Sequence, residues 1–239
     1  MKQIHIGNVK IDDLSVEEAV AYVLREENAP SFVVTPNALM LEACRKSPEQ
    51  RALLNEASLS LADGIGVLWA SRRQGTPIRK RVAGIAFGEA LMEVAAQRSL
   101  RVFLLGGAEG IAERAAANLK KRYPGLCICG ACWGFFAHAG EEDERLVSAL
   151  RAARPDILFV CMGFPLQEEW ISSHLDRLSD IRVIAGLGGS LDVWAGKVRR
   201  APRFVSSIGL EWAWRIAQEP KKRLSQIPVL IRFGLHAGK

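Results

Sequence analysis

Ser58-Leu59-Ser60-Leu61-Ala62-Asp63-Gly64-Ile65-Gly66 is the stretch of sequence from which the fold is best predicted. Its first residues alternate between polar and apolar, a pattern typical of a half-buried strand. Asp63-Gly64 then breaks the strand and lets the backbone turn, and the denser apolar residues that follow fit a helix. Asp63 is therefore expected on the loop that leaves the carboxyl end of a strand, where open α/β sheets bind their ligands.

A carboxylate at this position has two interpretations. Asp63 could act as a general base, because a strand end in an open sheet faces the ligand cleft. It could instead be the N-cap of the following helix, because aspartate is a favoured capping residue. Caps are far commoner than catalytic groups, so the local pattern alone favours the cap. The catalytic interpretation depends on the rest of the chain.

The alternation of strand and helix extends over most of the chain. Apolar runs predict strands at 31–34, 101–105, 126–133, 156–162 and 181–185, and helical patterns lie between them. The run at 156–162 is almost continuously apolar, which indicates a sheet covered on both faces. Alternating residues around Gly7-Asn8 predict a small N-terminal hairpin. The predicted class is α/β: a Rossmann-like, doubly wound, mostly parallel sheet.

Polar residues follow two of the predicted strands. Thr35 and Asn37 come directly after the strand at 31–34, which Pro36 ends, and Asp63 follows the next strand. Carboxyl ends of parallel strands meet at one edge of a sheet, so we expect these three side chains at the same edge. The irregular segment 72–84 that follows is rich in arginine and lysine. It is either a solvated surface loop or a loop that binds phosphate.

A glycine turn, Gly106-Gly107, lies between the strand at 101–105 and a predicted helix at 111–122. Backbone N–H groups in such a turn can bind a phosphate, and tight packing is the alternative explanation. The spacing is not GxGxxG, and no acidic residue follows at the usual distance, so the dinucleotide fingerprint is not met. A nicotinamide-dependent oxidoreductase on a Rossmann-like sheet is therefore the weaker of two enzyme classes.

Five cysteines are too few, and odd in number, for a secreted disulfide scaffold, and they favour a reducing cytoplasm. Cys129 and Cys132 have CxxC spacing, but the second pair of ligands that a zinc site needs is not found. The acidic run 141–144 is typical of a solvated first helical turn and is not a DxD motif. No bound metal is expected. The N-terminus lacks the apolar region of a signal peptide, and no stretch approaches the ~20 apolar residues that span a bilayer.

Charge divides the chain into two parts. The net charge is +6, yet residues 196–239 hold ten basic and two acidic residues, a net charge of +8. We predict a body at 1–195 and a basic, helical C-terminal appendage at 196–239, called the tail below. Basic residues flanking apolar ones suit a helix that lies in a membrane interface. The alternatives are a helix packed on the body with solvated lysines, and a nucleic-acid module whose Trp212 and Trp214 stack on bases.

Several short motifs resemble, in order and over nearly the whole chain, the WecG/TagA/CpsF family of bacterial glycosyltransferases. The motifs that carry the resemblance are Thr35-Pro36-Asn37, Ala62-Asp63-Gly64, Gly106-Gly107, Gly134-Phe135-Phe136, Gly163-Phe164-Pro165-x-Gln167-Glu168, Gly188-Gly189, Asp192-x-x-Ala195-Gly196, Arg200-Ala201-Pro202, Leu210-Glu211-Trp212-x-x-Arg215 and Glu219-Pro220. No single motif is decisive, but the ordered set is highly specific.

The resemblance implies an inverting transfer of a sugar from a UDP-sugar to a lipid-linked acceptor. The sugar would be N-acetylmannosamine or its uronate, and the acceptor a polyprenyl-diphosphate-linked GlcNAc used for surface polysaccharide or teichoic acid. Asp63 is similar to the catalytic base of the family, and Phe135 stands where the family often has tyrosine. The candidate substrate-binding residues are Thr35, Asn37, Arg81, Gly107, Phe135, Gly163, Gln167, Gly189, Asp192, Arg215 and Arg223.

This reaction agrees with the chemistry of the residues. It needs a carboxylate near the attacking hydroxyl and positive charge for the departing diphosphate, which Arg81, Arg215 and Arg223 could supply without a metal ion. We expect no cofactor and no nucleic-acid partner. The tail is expected to bind an anionic membrane surface, which places the protein in the cytoplasm on the inner face of the plasma membrane. A homo-oligomer is possible.

Overall fold

The computed structural model describes residues 2–207 and 209–236. The strands are β1 (Gln3–Ile6), β2 (Val9–Asp12), β3 (Ser31–Val34), β4 (Leu59–Ser60), β5 (Arg101–Gly106), β6 (Cys127–Cys132), β7 (Ile157–Cys161) and β8 (Val183–Gly186). The helices of the body are α1 (Val16–Val23), α2 (Ala38–Lys46), α3 (Pro48–Glu56), α4 (Ile65–Arg73), α5 (Gly84–Arg98), α6 (Ile111–Arg122), α7 (Glu141–Ala153), α8 (Leu166–His174) and α9 (Ser190–Trp194). Those of the tail are α10 (Arg203–Ser207), α11 (Glu211–Gln218), α12 (Pro220–Arg223) and α13 (Ile227–His236).

Six of the strands form one parallel sheet in the order β4-β3-β8-β7-β5-β6. The two remaining strands pair antiparallel as the N-terminal hairpin. Both the α/β class and the hairpin predicted from sequence are confirmed. Strand β4 is shorter than the alternating run suggested, because only Leu59 and Ser60 pair with β3.

Helices cover both faces of the sheet. Along β3, the side chain of Val33 points to a core formed with α1, α5, α6 and α9. Its neighbours Phe32 and Val34 point to a second core, formed with the hairpin, α2, α3, α4, α7, α8 and α13. Burial on two faces explains why the central strands are almost continuously apolar.

Neighbouring strands send the chain to opposite faces at two places. Strand β3 leads into α2 on one face, whereas the adjacent β8 leads into α9 on the other. Strand β5 leads into α6 and its neighbour β7 into α8, again on opposite faces. The loops separate at such switch points and leave a crevice at the carboxyl edge of the sheet. The polar residues predicted at strand ends all lie along this edge.

Local sequence signals account for the helix starts nearest the crevice. Ser15 and Glu18, at the spacing typical of a capping box, form one at the start of α1. Asn37 is the N-cap of α2, where its side-chain oxygen accepts hydrogen bonds from the amides of Leu39 and Met40. Helix α7 begins at Glu141, as its acidic first turn indicated.

The tail folds back onto the body. Helix α13 packs on α2, and its buried Phe233 lies against Gly66 of α4, where a Cβ atom would be 3.4 Å from the ring. The pattern of residues 208–215 predicts a helix that carries Trp212 and Trp214; α11 provides it from Glu211, and residue 208 lies outside the described residues. Glu89 of α5 joins the two parts, because it pairs with Arg122 of α6 at 2.7 Å and with Arg200 at 2.6 Å.

Large apolar side chains remain exposed on the tail. Leu224, Ile231 and Leu235 are 54%, 61% and 71% exposed. Among the described residues, no helix combines the length and the apolar character needed to cross a bilayer. Within α13, Phe233 packs on the body whereas Ile231 and Leu235 are exposed, so the helix carries apolar side chains on both its packed and its outward face.

Candidate active site

A cavity of about 560 Å³ lies between the carboxyl edge of the sheet and the tail. Its floor belongs to the body and comprises Asn37, Ala38, Leu39, Asp63, Gly64, Ile65, Gly66, Trp69 and Arg81. Its roof belongs to the tail and comprises Gly209, Glu211, Trp212, Arg215, Ile216, Arg223, Gln226, Leu230, Phe233 and Gly234. We call it the Asp63 cavity. Its size is typical of a small-molecule site.

Asp63 does not cap the helix that follows it. Gly64 is the N-cap of α4 and makes no side-chain capping bond, so the capping interpretation is wrong. Instead, Asp63 Oδ2 accepts a hydrogen bond of 3.3 Å from the amide of Gly84, the first residue of α5. The carboxylate thus lies at the positive end of a fifteen-residue helix and faces the cavity.

Burial raises the pKa of Asp63 from its ordinary 3.8 to about 6. The amide of Gly84 opposes this rise, because it donates to the ionised form. The negative charge of Glu211 raises the pKa of Asp63 further, whereas Arg215 and Arg81 lower it. The result is a carboxyl group that is mostly ionised at neutral pH and still has appreciable affinity for a proton, as a general base requires.

Two arginines and one glutamate surround the carboxylate of Asp63. Arg81 enters from the loop before α5, and Glu211 and Arg215 enter from α11. Glu211 lies 3.7 Å from each arginine, measured from carboxylate oxygen to guanidinium nitrogen. Together with Arg223, these groups give the cavity a net positive charge, which suits an anionic ligand.

Thr35 and Gly84 fix the position of the amide that binds Asp63. Thr35 is buried, and its hydroxyl lies 3.4 Å from the carbonyl oxygen of Gly186 in β8, to which it donates. A Cβ atom on Gly84 would lie 2.9 Å from the same hydroxyl. Helix α5 can therefore approach β3 and β8 this closely only with glycine at its start. Thr35 supports the site from beneath rather than lining the cavity.

The Asp63 cavity is also lined by apolar side chains. Ile65 and Trp69 of α4 line its floor, and Trp212 and Leu230 line its roof. Ile65, Trp69 and Trp212 are 41%, 39% and 45% exposed. One cavity thus combines charged groups with partly exposed apolar side chains, which suits an amphipathic ligand.

Gln167 lies away from the Asp63 cavity and is buried. Its Oε1 accepts hydrogen bonds from the amides of Gly163 and Gly188, at 3.1 and 3.0 Å. Its Nε2 donates to Glu168, which is also buried and has a second carboxylate oxygen without a hydrogen-bond partner. Burial raises the pKa of Glu168 to about 7. Gln167 therefore connects the loops after β7 and β8.

The other candidates lie in three places. Arg223 lines the cavity and pairs with Glu219 at 2.9 Å, and Gly189 adjoins it, because a Cβ atom there would be 3.8 Å from Arg215. Asp192 pairs with Lys197 beyond α9.

Gly107 and Phe135 lie at the far end of the carboxyl edge. The amide of Gly107 donates to the carbonyl of Cys161, and a Cβ atom on the adjacent Gly106 would be 2.3 Å from that carbonyl oxygen. Tight packing, the alternative explanation of this turn, is what the structure shows. Phe135 is 72% exposed beyond β6.

Two functional residues escaped the sequence reasoning. Gly84 has no signal of its own, because a glycine at a helix start is common. Glu211 stood within a quoted motif, but its contact with Arg81 joins the tail to the body and is visible only in the folded chain. In the described part of the chain, no group of three histidine, cysteine, aspartate or glutamate side chains is arranged to hold a metal ion.

The fold and the cavity define an open α/β protein with a candidate ligand site at the carboxyl edge of its sheet, completed by a C-terminal segment. The sequence profile of the Glycosyl transferase WecG/TagA/CpsF family matches residues 4–237. The chain belongs to this family and is a glycosyltransferase.

Curated relatives carry a more specific name. The proteins of Staphylococcus aureus strains MW2 and MRSA252 are called N-acetylglucosaminyldiphosphoundecaprenol N-acetyl-beta-D-mannosaminyltransferase. Each is 34% identical to this chain over 221 residues, which cover 90% of this chain and 84% of the relative. Family membership favours the transferase over the nicotinamide-dependent alternative.

Proposed function

We propose that the protein transfers N-acetylmannosamine, or its uronate, from a UDP-sugar to a polyprenyl-diphosphate-linked GlcNAc, with inversion at the anomeric carbon. The observation that carries this proposal is the raised pKa of Asp63 in a cavity that it shares with Arg81 and Arg215. The names of the Staphylococcus relatives support the choice of sugar and acceptor. The proposed product is a disaccharide on a lipid diphosphate, a precursor of a cell-surface polymer.

Asp63 would act as the general base. Its carboxylate accepts the proton of the attacking hydroxyl of GlcNAc while the oxygen of that hydroxyl bonds to the anomeric carbon of the donor. The bond between that carbon and the phosphate oxygen breaks, and UDP leaves with the electron pair. Attack from the side opposite to UDP inverts the anomeric configuration. At pH 7, a carboxyl group with a pKa of about 6 is ionised in roughly ten molecules of every eleven.

Three arginines would stabilise the departing diphosphate. Arg81 lies in the floor of the cavity, and Arg215 and Arg223 lie in its roof. Guanidinium groups suit this task, because their planar donors match the geometry of phosphate oxygens. Since α11 supplies one of them, a complete site requires the tail to be docked on the body.

The cavity offers both kinds of contact that the acceptor needs. Its charged residues would hold the diphosphate and sugars, and its partly exposed Ile65, Trp69 and Trp212 would contact the lipid. The exposed Leu224, Ile231 and Leu235 and the basic residues of the tail would bind an anionic membrane surface. We therefore propose a peripheral location on the inner face of the plasma membrane.

The test is a transfer assay with UDP-N-acetylmannosamine, its uronate and UDP-glucose as donors, and a short-chain polyprenyl-diphosphate GlcNAc as acceptor. We expect one of the two mannosamine donors to be used. Asp63→Asn should reduce kcat by 10²- to 10⁴-fold, because the base is lost while the shape is kept. It should leave UDP binding within a few-fold of the wild type.

Asp156→Asn is the matched control. Asp156 also accepts a hydrogen bond from a backbone amide, that of Arg101, but it precedes β7 at the opposite edge of the sheet. Its substitution should leave kcat unchanged. Normal turnover by Asp63→Asn would disprove the proposed base, and turnover with none of the donors would disprove the proposed reaction.

Two further expectations can be tested in the same assay. Extensive dialysis against EDTA should leave the rate unchanged, because the arginines supply the charge that a metal ion would otherwise provide.

Ile231→Ser with Leu235→Ser should weaken binding to anionic vesicles and lower the rate on a long-chain acceptor. Unchanged vesicle binding would remove α13 from the membrane contact.

A further inference from the structure

Glu211 is a carboxylate that the proposed chemistry does not use. It lies at the start of α11, with its side chain 19% exposed, and it faces the cavity between Arg81 and Arg215. Arg81 belongs to the body and Arg215 to the tail, so Glu211 connects the floor of the cavity to its roof. Among the charged groups around Asp63, it is the one with the same sign as the base.

The contacts of Glu211 are long for ion pairs. Both are 3.7 Å, whereas charge-assisted hydrogen bonds between guanidinium and carboxylate measure about 2.7–2.9 Å. Arg81 and Arg215 are therefore held near the carboxylate without short hydrogen bonds to it. Their N–H groups remain free to donate to another anion in the same cavity.

Glu89 provides a comparison, because it is also a glutamate between two arginines but makes short ion pairs with both. It also lies between one arginine of the body and one of the tail, but Arg122 and Arg200 approach its oxygens to 2.7 and 2.6 Å. One glutamate and two arginines thus form short ion pairs at Glu89, away from Asp63, and long ion pairs at Glu211, beside Asp63. The group with the long contacts, Arg81, Glu211 and Arg215, is the one that faces the Asp63 cavity.

We propose that Glu211 is a positioning residue of the transfer reaction: it holds Arg81 and Arg215 on either side of the place of the donor diphosphate and competes with that diphosphate for them. Without a carboxylate, the two guanidinium groups would repel each other. When the diphosphate binds, the N–H groups of Arg81 and Arg215 donate hydrogen bonds to it. When UDP leaves, the two arginines pair with Glu211 again. The inference rests on the proposed function, because it requires a diphosphate in this cavity.

A second consequence concerns the base. The groups that face Asp63 are the amide of Gly84 from α5, Arg81 from the preceding loop, and Glu211 and Arg215 from α11. Removing the charge of Glu211 leaves two cations and a helix N-terminus around the carboxylate. Asp63 should then hold its proton less tightly, and the acidic limb of the pH–rate profile should move to lower pH.

The experiment compares Glu211→Gln with Glu89→Gln. Calorimetric titration of the full-length protein with UDP, and with inorganic pyrophosphate, measures binding without turnover. Glu211→Gln should bind both ligands three- to tenfold more tightly and should shift the midpoint of kcat/KM against pH downward by half a unit or more. Glu89→Gln removes the same number of charges at a body–tail contact, and it should change neither quantity.

A conservative variant separates charge from folding. Glu211→Asp keeps the carboxylate and should retain the pH midpoint and the UDP affinity of the wild type to within twofold. Wild-type values of both quantities in Glu211→Gln would overturn the inference, as would equal effects of the two glutamine variants. If the wild type itself binds neither UDP nor pyrophosphate, the proposed function fails and the inference with it. If the wild type binds UDP and Glu211→Gln does not differ from it, only the inference fails.

Discussion

The two halves of the carboxyl edge of the sheet differ in how their polar groups are satisfied. Beside β3 and β4, Asp63, Arg81 and Arg215 face a cavity and make long or few contacts with protein partners. Beside β7 and β8, the carboxamide of Gln167 is buried and hydrogen-bonded through both its oxygen and its nitrogen. The polar groups of the first half face a cavity that a ligand can enter, whereas Gln167 in the second half holds two loops. The comparison shows that motifs at the same edge of the sheet can bind ligand or stabilise the fold, and that the hydrogen-bond partners of their side chains distinguish the two roles.

The largest expected difference between the halves concerns charge. Arg215→Ala should lower kcat about 10²- to 10³-fold, because it removes a donor to the departing diphosphate. The measurement is the steady-state rate at saturating donor, with Arg177→Ala as control, since Arg177 pairs with Glu144 on the surface. A rate within threefold of the wild type would show that the roof of the cavity takes no part in the reaction.

Gln167→Leu should act on stability instead. The change leaves the half-buried amides of Gly163 and Gly188 without this acceptor, which should cost about 1–3 kcal/mol of the free energy of unfolding. Urea denaturation measures this loss, and the donor KM of the folded variant should stay within twofold. A tenfold rise in the donor KM would show that Gln167 contacts substrate, as the family resemblance implies.

Gly84→Ala tests the support beneath Asp63. Its Cβ would lie 2.9 Å from the hydroxyl of Thr35, so α5 must shift at a cost of about 1–3 kcal/mol of unfolding free energy. The amide bonded to Asp63 would shift with it, and the pH–rate midpoint should rise because the carboxylate loses its donor. Gly234→Ala in α13 is the control, because a Cβ there meets no atom within 4 Å. Equal stability of the two variants would contradict the packing argument.

A stability change of similar size, but of opposite sign, is expected when the carboxylate of Asp63 is removed. The folded pKa of Asp63 lies above its ordinary value, so between pH 4 and 6 the folded protein keeps a proton that the unfolded chain releases. Rising pH therefore destabilises the wild type through this group, and Asp63→Asn lacks the penalty. The variant should be about 1–3 kcal/mol more stable than the wild type at pH 7.5, with the difference vanishing near pH 4. Thermal unfolding at both values measures it, and an equal difference at both would contradict the assignment.

Most of the fold could be predicted from sequence because its signals are local. Alternating or continuous apolar runs marked the strands, and the acidic turn at Glu141 marked a helix start. The placement of Thr35, Asn37 and Asp63 at one edge followed from parallel pairing alone. Strand β4 was harder to delimit, because strand length depends on which residues find a partner.

The composition of the cavity could not be predicted in the same way. Arg215 and Glu211 reach Asp63 only because the tail folds back, a long-range contact that no local pattern encodes. The glycines of the Gly106-Gly107 turn suggested a phosphate loop; close approach accounts for them too, since a Cβ atom would meet Cys161 at Gly106 and Ile111 at Gly107, and phosphate binding there stays a prediction. The capping interpretation of Asp63 was reasonable for the same reason: sequence shows which helix follows a residue, but not which other helix approaches it.

The division of the cavity between two segments has a pharmacological consequence. A compound that fills it would touch α2 and α4 on one side and α11 and α13 on the other. Its binding free energy would therefore stabilise the docking of the tail on the body. Compounds that contact both segments should raise the melting temperature of the protein strongly, whereas compounds that bind only the floor of the cavity should raise it less.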